Sequence, residues 1–104
     1  MSEQQPEPKR DEIDAMQGPV IVEFGATDCG HCRQLAPALA KMLEDHPKIT
    51  HLKVEDGPGR PLGRSFRVKL WPTLVFMKDG AVLEQVSRPG LGEVRAGLAA
   101  IDGP

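Results

Sequence analysis

A chain of 104 residues can enclose one small hydrophobic core but has no room for a separate substrate domain. Its formal charge of −2 gives no basic excess for nucleic acid, and no long apolar segment is present for a membrane, so neither partner is expected. With only two cysteines, Cys29 and Cys32, a disulfide-built scaffold is a poor reading, and their spacing becomes the informative feature.

Residues 1–10 are polar, contain Pro6 and Pro8, and read as a disordered tail ahead of one domain over residues 11–104. They look nothing like the apolar stretch of a secretory signal, so a cytoplasmic location is expected. Asp11 to Met16 can form a short helix before Gly18-Pro19 breaks it. Val20 to Phe24 is too apolar for a sheet with one wet face and reads as a central strand covered on both sides. Leu35, Leu39, Met42 and Leu43 recur at helical spacing, with Pro37 expected to kink that helix rather than end it. Ile49 to Val54 reads as a second strand, Pro58-Gly59 as a turn and Arg60 to Phe66 as a short helix. Thr73 to Met77 and Ala81 to Val86 are strands joined through Lys78-Asp79-Gly80, where glycine supplies a positive φ. Leu91, Val94, Leu98 and Ile101 mark a closing helix, giving an α/β chain of order β-α-β-α-β-β-α after the first short helix.

The two cysteines bracket Gly30-His31 at the point where the first strand gives way to a helix. Closing a two-residue loop removes little chain entropy, so this pair suits thiol–disulfide exchange better than scaffolding. Unpaired amides and the macrodipole at a helix N-terminus stabilise a thiolate. Cys29 is therefore assigned as an exposed, helix-capping nucleophile and Cys32, one turn in, as the resolving thiol. Zinc needs four ligands and no second cysteine pair or histidine cluster accompanies this one, so no metal or cofactor is expected. His31, between the sulfurs, is placed to stabilise the thiolate form and so to make the disulfide a stronger oxidant. Glu23 is a carboxylate inside the most apolar strand and shares a face with Ile21 rather than with Val22 and Phe24. Arg60, Arg64 and Arg67 fall at helical spacing and read as a solvated face or a small basic stripe that steers acidic partners. His46 and His51 carry no evident chemistry.

The run from Val22 to Pro37, with its Cys29-Gly30-His31-Cys32 box, resembles the active-site segment of the thioredoxin superfamily, and the box itself resembles protein disulfide isomerase domains. Phe66 to Thr73 is similar to the family's stretch leading to a cis-proline and threonine, and Lys78-Asp79-Gly80 to its hairpin turn. The resemblance covers residues 11–101 and implies a thioredoxin fold, with a central mixed sheet flanked by helices. It implies that Glu23 accepts a proton from the resolving cysteine, that Lys53 stands beside that carboxylate, and that Pro72 is cis. Gly30, Asp28, Trp71, Pro72 and Thr73 would then meet substrate, with the backbone before Pro72 pairing with an extended segment. The implied activity is reduction of disulfide-containing protein substrates by a monomer, recycled by a reductase or a small thiol. A disulfide oxidase or isomerase, or a binding module or assembly chaperone of the same fold, are the alternatives.

Two departures qualify the likeness. The polar, proline-containing N-terminus does not supply the family's first edge strand, so a four-stranded sheet is expected, with the edge of Ile49 to Val54 open to pairing. Asp28 stands where the family has tryptophan before its first cysteine, which removes an apolar platform that Trp71 could replace from across the groove. The Asp28 charge also opposes the thiolate that His31 and the helix favour. Asp28→Asn is therefore expected to move the Cys29 thiol-to-thiolate transition to lower pH, read by thiolate absorbance; an unchanged or higher transition refutes it.

Overall fold

The computed structural model describes residues 7–103. Eight elements follow in order: α1 (Arg10–Asp14), β1 (Pro19–Gly25), α2 (Gly30–Leu43), β2 (Thr50–Glu55), α3 (Pro61–Ser65), β3 (Thr73–Lys78), β4 (Ala81–Ser87) and α4 (Leu91–Asp102). Most of the expected tail, residues 1–6, lies outside the described residues. Glu7 already packs, accepting the Leu62 amide at 3.0 Å, and Arg10 opens α1. The Arg10 guanidinium stacks 3.7 Å from the Phe66 ring centroid and donates to the Ser65 carbonyl, fastening α1 onto α3.

The sheet has four strands in the order β2-β1-β3-β4, as expected without the family's first edge strand. β1 runs parallel to β2 and antiparallel to β3, and β3 and β4 form a hairpin. Because β1 is central, both its faces are covered, which accounts for its near-continuous apolar sequence. Val20, Val22 and Phe24 point to one side, where they pack with Ile13, Leu62 and Phe66 under α1 and α3. Ile21 points to the other, among Leu35, Leu39, Val94, Leu98 and Ile101 from α2 and α4. The molecule is thus two helical layers on one sheet, and α2 continues through Pro37.

The β3–β4 turn has positive φ at Asp79 as well as at Gly80, 51° and 83°. That pair of angles suits a tight primed turn, whose twist matches the strands. Asp79 also accepts the Gly18 amide at 2.7 Å and returns its own amide to Gly18, so the turn is clasped to the entry of β1. The arginine stripe does not form: α3 spans only Pro61–Ser65, Arg60 is its N-cap and Arg67 lies beyond it at φ 60°. Pro61, with no amide proton to lose, starts this helix one residue late, and Arg67 leaves it in the left-handed region.

On α4, Gly97 faces the Phe76 ring so closely that an added Cβ would collide with it, whereas Gly92 has open space. Gly97→Ala is expected to lower stability by about 1–3 kcal/mol through overpacking, and Gly92→Ala to raise it by about 0.4–1 kcal/mol. Urea denaturation of the two variants measures both, and equal effects would overturn the packing argument.

Candidate active site

β1 ends at Gly25, and four residues later the chain enters α2 with Cys29 as its N-cap in an extended conformation. The Cys29 sulfur accepts the Cys32 amide at 3.2 Å, which satisfies one of the helix's unpaired donors with the atom whose charge matters. Cys29 and Cys32 are joined as a disulfide with Cα atoms 5.2 Å apart. Gly30, His31 and Asp28 are exposed around it. As whole residues, Cys29 is 8% exposed and Cys32 is half-buried. Cys32 Sγ packs against Gly25, where a Cβ would stand only 3.0 Å from the sulfur, so glycine makes room for it.

Glu23 occupies the centre of β1, only 2% exposed, so it does not escape to solvent at a strand end. Lys53 is its register partner on β2 but is exposed and not bonded to it. The partner is His51, whose Nε2 lies 2.7 Å from Glu23 Oε1. The correction follows from strand geometry. In the parallel β1–β2 pair His51 stands opposite Ile21, so His51 and Lys53 share the face of Glu23, and the shorter, stiffer imidazole reaches inward while the lysine extends to water. Parity along β2 admits both residues, so pattern alone does not distinguish His51 from Lys53.

The Trp71–Pro72 peptide is cis, as the resemblance implied. Pro72 is buried, and Trp71 is partly buried with its indole N–H donating to Asp56 Oδ2 at 2.9 Å. Thr73, fully buried, donates to or accepts from Ser87 and contacts the Leu70 carbonyl at 2.6 Å, bracing the loop from beneath. A second residue absent from the sequence reading is Arg88. Its amide donates to the Pro72 carbonyl at 2.7 Å and its Nε to the Trp71 carbonyl at 3.0 Å. Arg88 sits at φ 50° in the break between β4 and α4, and with His31, Gln34, Leu35, Pro72 and Leu91 it lines a groove of about 210 Å³. Only the Ser87-Arg88-Pro89-Gly90 break hinted at it.

The chain matches the thioredoxin family model over residues 3–96. It belongs to the thioredoxin family. A thioredoxin H-type of Ricinus communis is 34% identical over 70 residues, 67% of this chain and 59% of that protein. The Listeria monocytogenes thioredoxin is 38% identical over 78 residues, covering 72% of this chain and 74% of its own. In the Ricinus match the chain therefore spans under two thirds of its relative's length. Among solved structures, thioredoxin 2 from Pseudomonas aeruginosa PAO1 in its reduced form is 52% identical with a TM-score of 0.78, covering 91% of this chain and 89% of that one. Those likenesses fit the thioredoxin fold, with the sulfur pair where a strand meets a helix.

His51→Ala leaves the buried Glu23 without its hydrogen bond and is expected to lower stability by about 1–3 kcal/mol. Lys53→Ala is expected to change it by less than about 0.5 kcal/mol. Chemical denaturation at neutral pH separates them, and a larger loss for Lys53→Ala would return the partner role to the lysine.

Proposed function

We propose that this thioredoxin-family protein is a thiol–disulfide oxidoreductase that reduces protein disulfides by dithiol exchange. The observation that carries the reading is the Cys29–Cys32 disulfide at the start of α2, with one sulfur capping the helix. In the reduced protein Cys29 attacks a substrate disulfide and forms a mixed disulfide, expelling one substrate thiolate. The α2 N-terminus supplies fixed amides that favour the attacking charge. Cys32 then attacks the Cys29 sulfur of that mixed disulfide, releasing the second substrate thiol and restoring the intramolecular bond. Glu23 takes the Cys32 proton; both line one cleft, and His51 holds the carboxylate in place.

Substrate backbone pairs beside the cis Trp71–Pro72 peptide, with Trp71 replacing the aromatic platform that Asp28 removes. Gly30 allows the close approach, His31 stabilises the thiolate and Thr73 braces the loop. Disulfide-containing proteins are the substrates, a reductase or small thiol recharges the pair, and the protein works as a cytoplasmic monomer in cell redox homeostasis.

The test is reduction of insulin disulfides together with a redox titration in glutathione buffers, read by Trp71, the single tryptophan. The wild type is expected to turn over and to titrate between about −270 mV, where thioredoxin lies, and about −180 mV, where protein disulfide isomerase lies. Cys29→Ser is expected to abolish turnover, and Glu23→Gln to slow release of the mixed disulfide by on the order of 10²-fold. A wild type with no turnover and no redox transition would overturn the reading.

A further inference from the structure

We propose that Arg88 makes the groove beside the cis Trp71–Pro72 peptide selective for disulfides flanked by an acidic residue, its guanidinium pairing with a substrate aspartate or glutamate. The inference rests on the redox reading above and adds to it the chemistry of the preferred substrate and the residue that selects it.

The backbone of Arg88 marks it out. It holds φ 50°, a region that favours glycine and that a bulky side chain adopts at a cost. Two hydrogen bonds keep it there, from its amide to the Pro72 carbonyl at 2.7 Å and from its Nε to the Trp71 carbonyl at 3.0 Å. The second bond holds the guanidinium beside the peptide where substrate backbone pairs. The two terminal nitrogens of that guanidinium make no hydrogen bond or ion pair among the described residues.

Charge defines the partner. Arg88 shares the groove with His31, Gln34, Leu35, Pro72 and Leu91, and no carboxylate lines it. The acids nearest in the chain and the fold are otherwise placed. Glu93 accepts the Gly90 amide at 2.9 Å, Asp56 accepts the Trp71 indole at 2.9 Å, and the exposed Asp28 is not part of the lining. Leu35 and Pro72 are buried, and Leu91, 45% exposed, completes an apolar wall. A guanidinium set among apolar walls without a counter-ion binds a carboxylate better than any neutral side chain, through paired N–H···O bonds. The formal charge of −2 on the whole chain does not draw acids from a distance, so this selectivity is local to the groove.

Backbone pairing and acid recognition are coupled. A substrate amide that takes the Trp71 carbonyl displaces Nε from it, and the released guanidinium needs a new acceptor. A substrate carboxylate supplies one; a neutral side chain leaves the guanidinium poorly compensated against the apolar walls. The exchange itself is unchanged, with Cys29 attacking the substrate disulfide, and Arg88 acts on which segment is held.

The experiment oxidises the reduced full chain with disulfide-linked dimers of a short peptide bearing a single central cysteine, followed by Trp71 fluorescence and checked by chromatography. Glutamate or glutamine stands at successive positions on either side of the cysteine. The glutamate-to-glutamine ratio of kcat/KM is taken within each protein variant, which cancels any general loss of activity. The wild type is expected to favour glutamate about three- to tenfold at a subset of positions. That ratio is expected to fall towards unity as salt rises from about 50 to about 500 mM. Arg88→Gly, which suits φ 50°, is expected to lose the preference, and Arg88→Lys to keep part of it. A wild type with no preference at any position overturns the proposal whatever the variants do, and so does a preference that survives in Arg88→Gly. A protein that reduces insulin and the peptides without discrimination leaves the redox reading standing. One that is inert towards insulin and every peptide overturns that reading, and the proposal falls with it.

Discussion

The hydrogen bond from the Cys32 amide to the Cys29 sulfur ties the chemistry of this protein to its fold. A helix N-terminus always presents unpaired donors, and here one of them is spent on the atom that must hold negative charge. The geometry holds only because β1 delivers the chain to that point. β1 is one of the two inner strands, parallel to one neighbour and antiparallel to the other, and four residues carry it from Gly25 into α2. Shifting β1 by one residue would exchange the faces of Glu23 and Phe24, placing a carboxylate under α1 and α3 and a phenyl ring against the sulfur pair. The apolar β1 sequence is thus a positioning device for the site as much as part of the core.

Pro72 of the cis Trp71–Pro72 peptide shares a groove with His31, Gln34 and Leu35 of the helix that the disulfide opens, so the site has two walls held by separate interactions. One wall is the helix cap. The other is tied down by Thr73 with Ser87 below and by Arg88 above, while the indole is anchored sideways to Asp56. Arg88 donates to the Trp71 carbonyl, so in the proposed function a strand pairing there would exchange one donor for another.

Much of this was legible in the sequence because the strong signals are local. The continuous apolar run of Val20 to Phe24, the Cys-x-x-Cys box and the Asp79-Gly80 turn each rest on neighbours along the chain, and each element stands within a residue or two of its expected place. What escaped reading depends on contacts across space. His51 and Lys53 have the same parity on β2, and only side-chain length against the depth of Glu23 distinguishes them. Arg88 belongs to the site because a break after β4 folds over Pro72, a contact with no periodic signature. The arginine spacing misled for the opposite reason: period alone cannot tell that Arg60 lies before the helix and Arg67 after it.

The clasp between the Asp79 turn and Gly18 sits at the start of β1, and Lys78 beside it donates to the carbonyl of Gly103 just past α4. β1 runs from that pole towards the sulfurs, so the far end of α4 and the disulfide lie at opposite poles of the sheet. A tether fixed at Gly103 would therefore hold the molecule with its reactive face turned outward. An immobilised or fused form could meet bulky protein disulfides head-on, with the linker standing behind the sheet and clear of the approach.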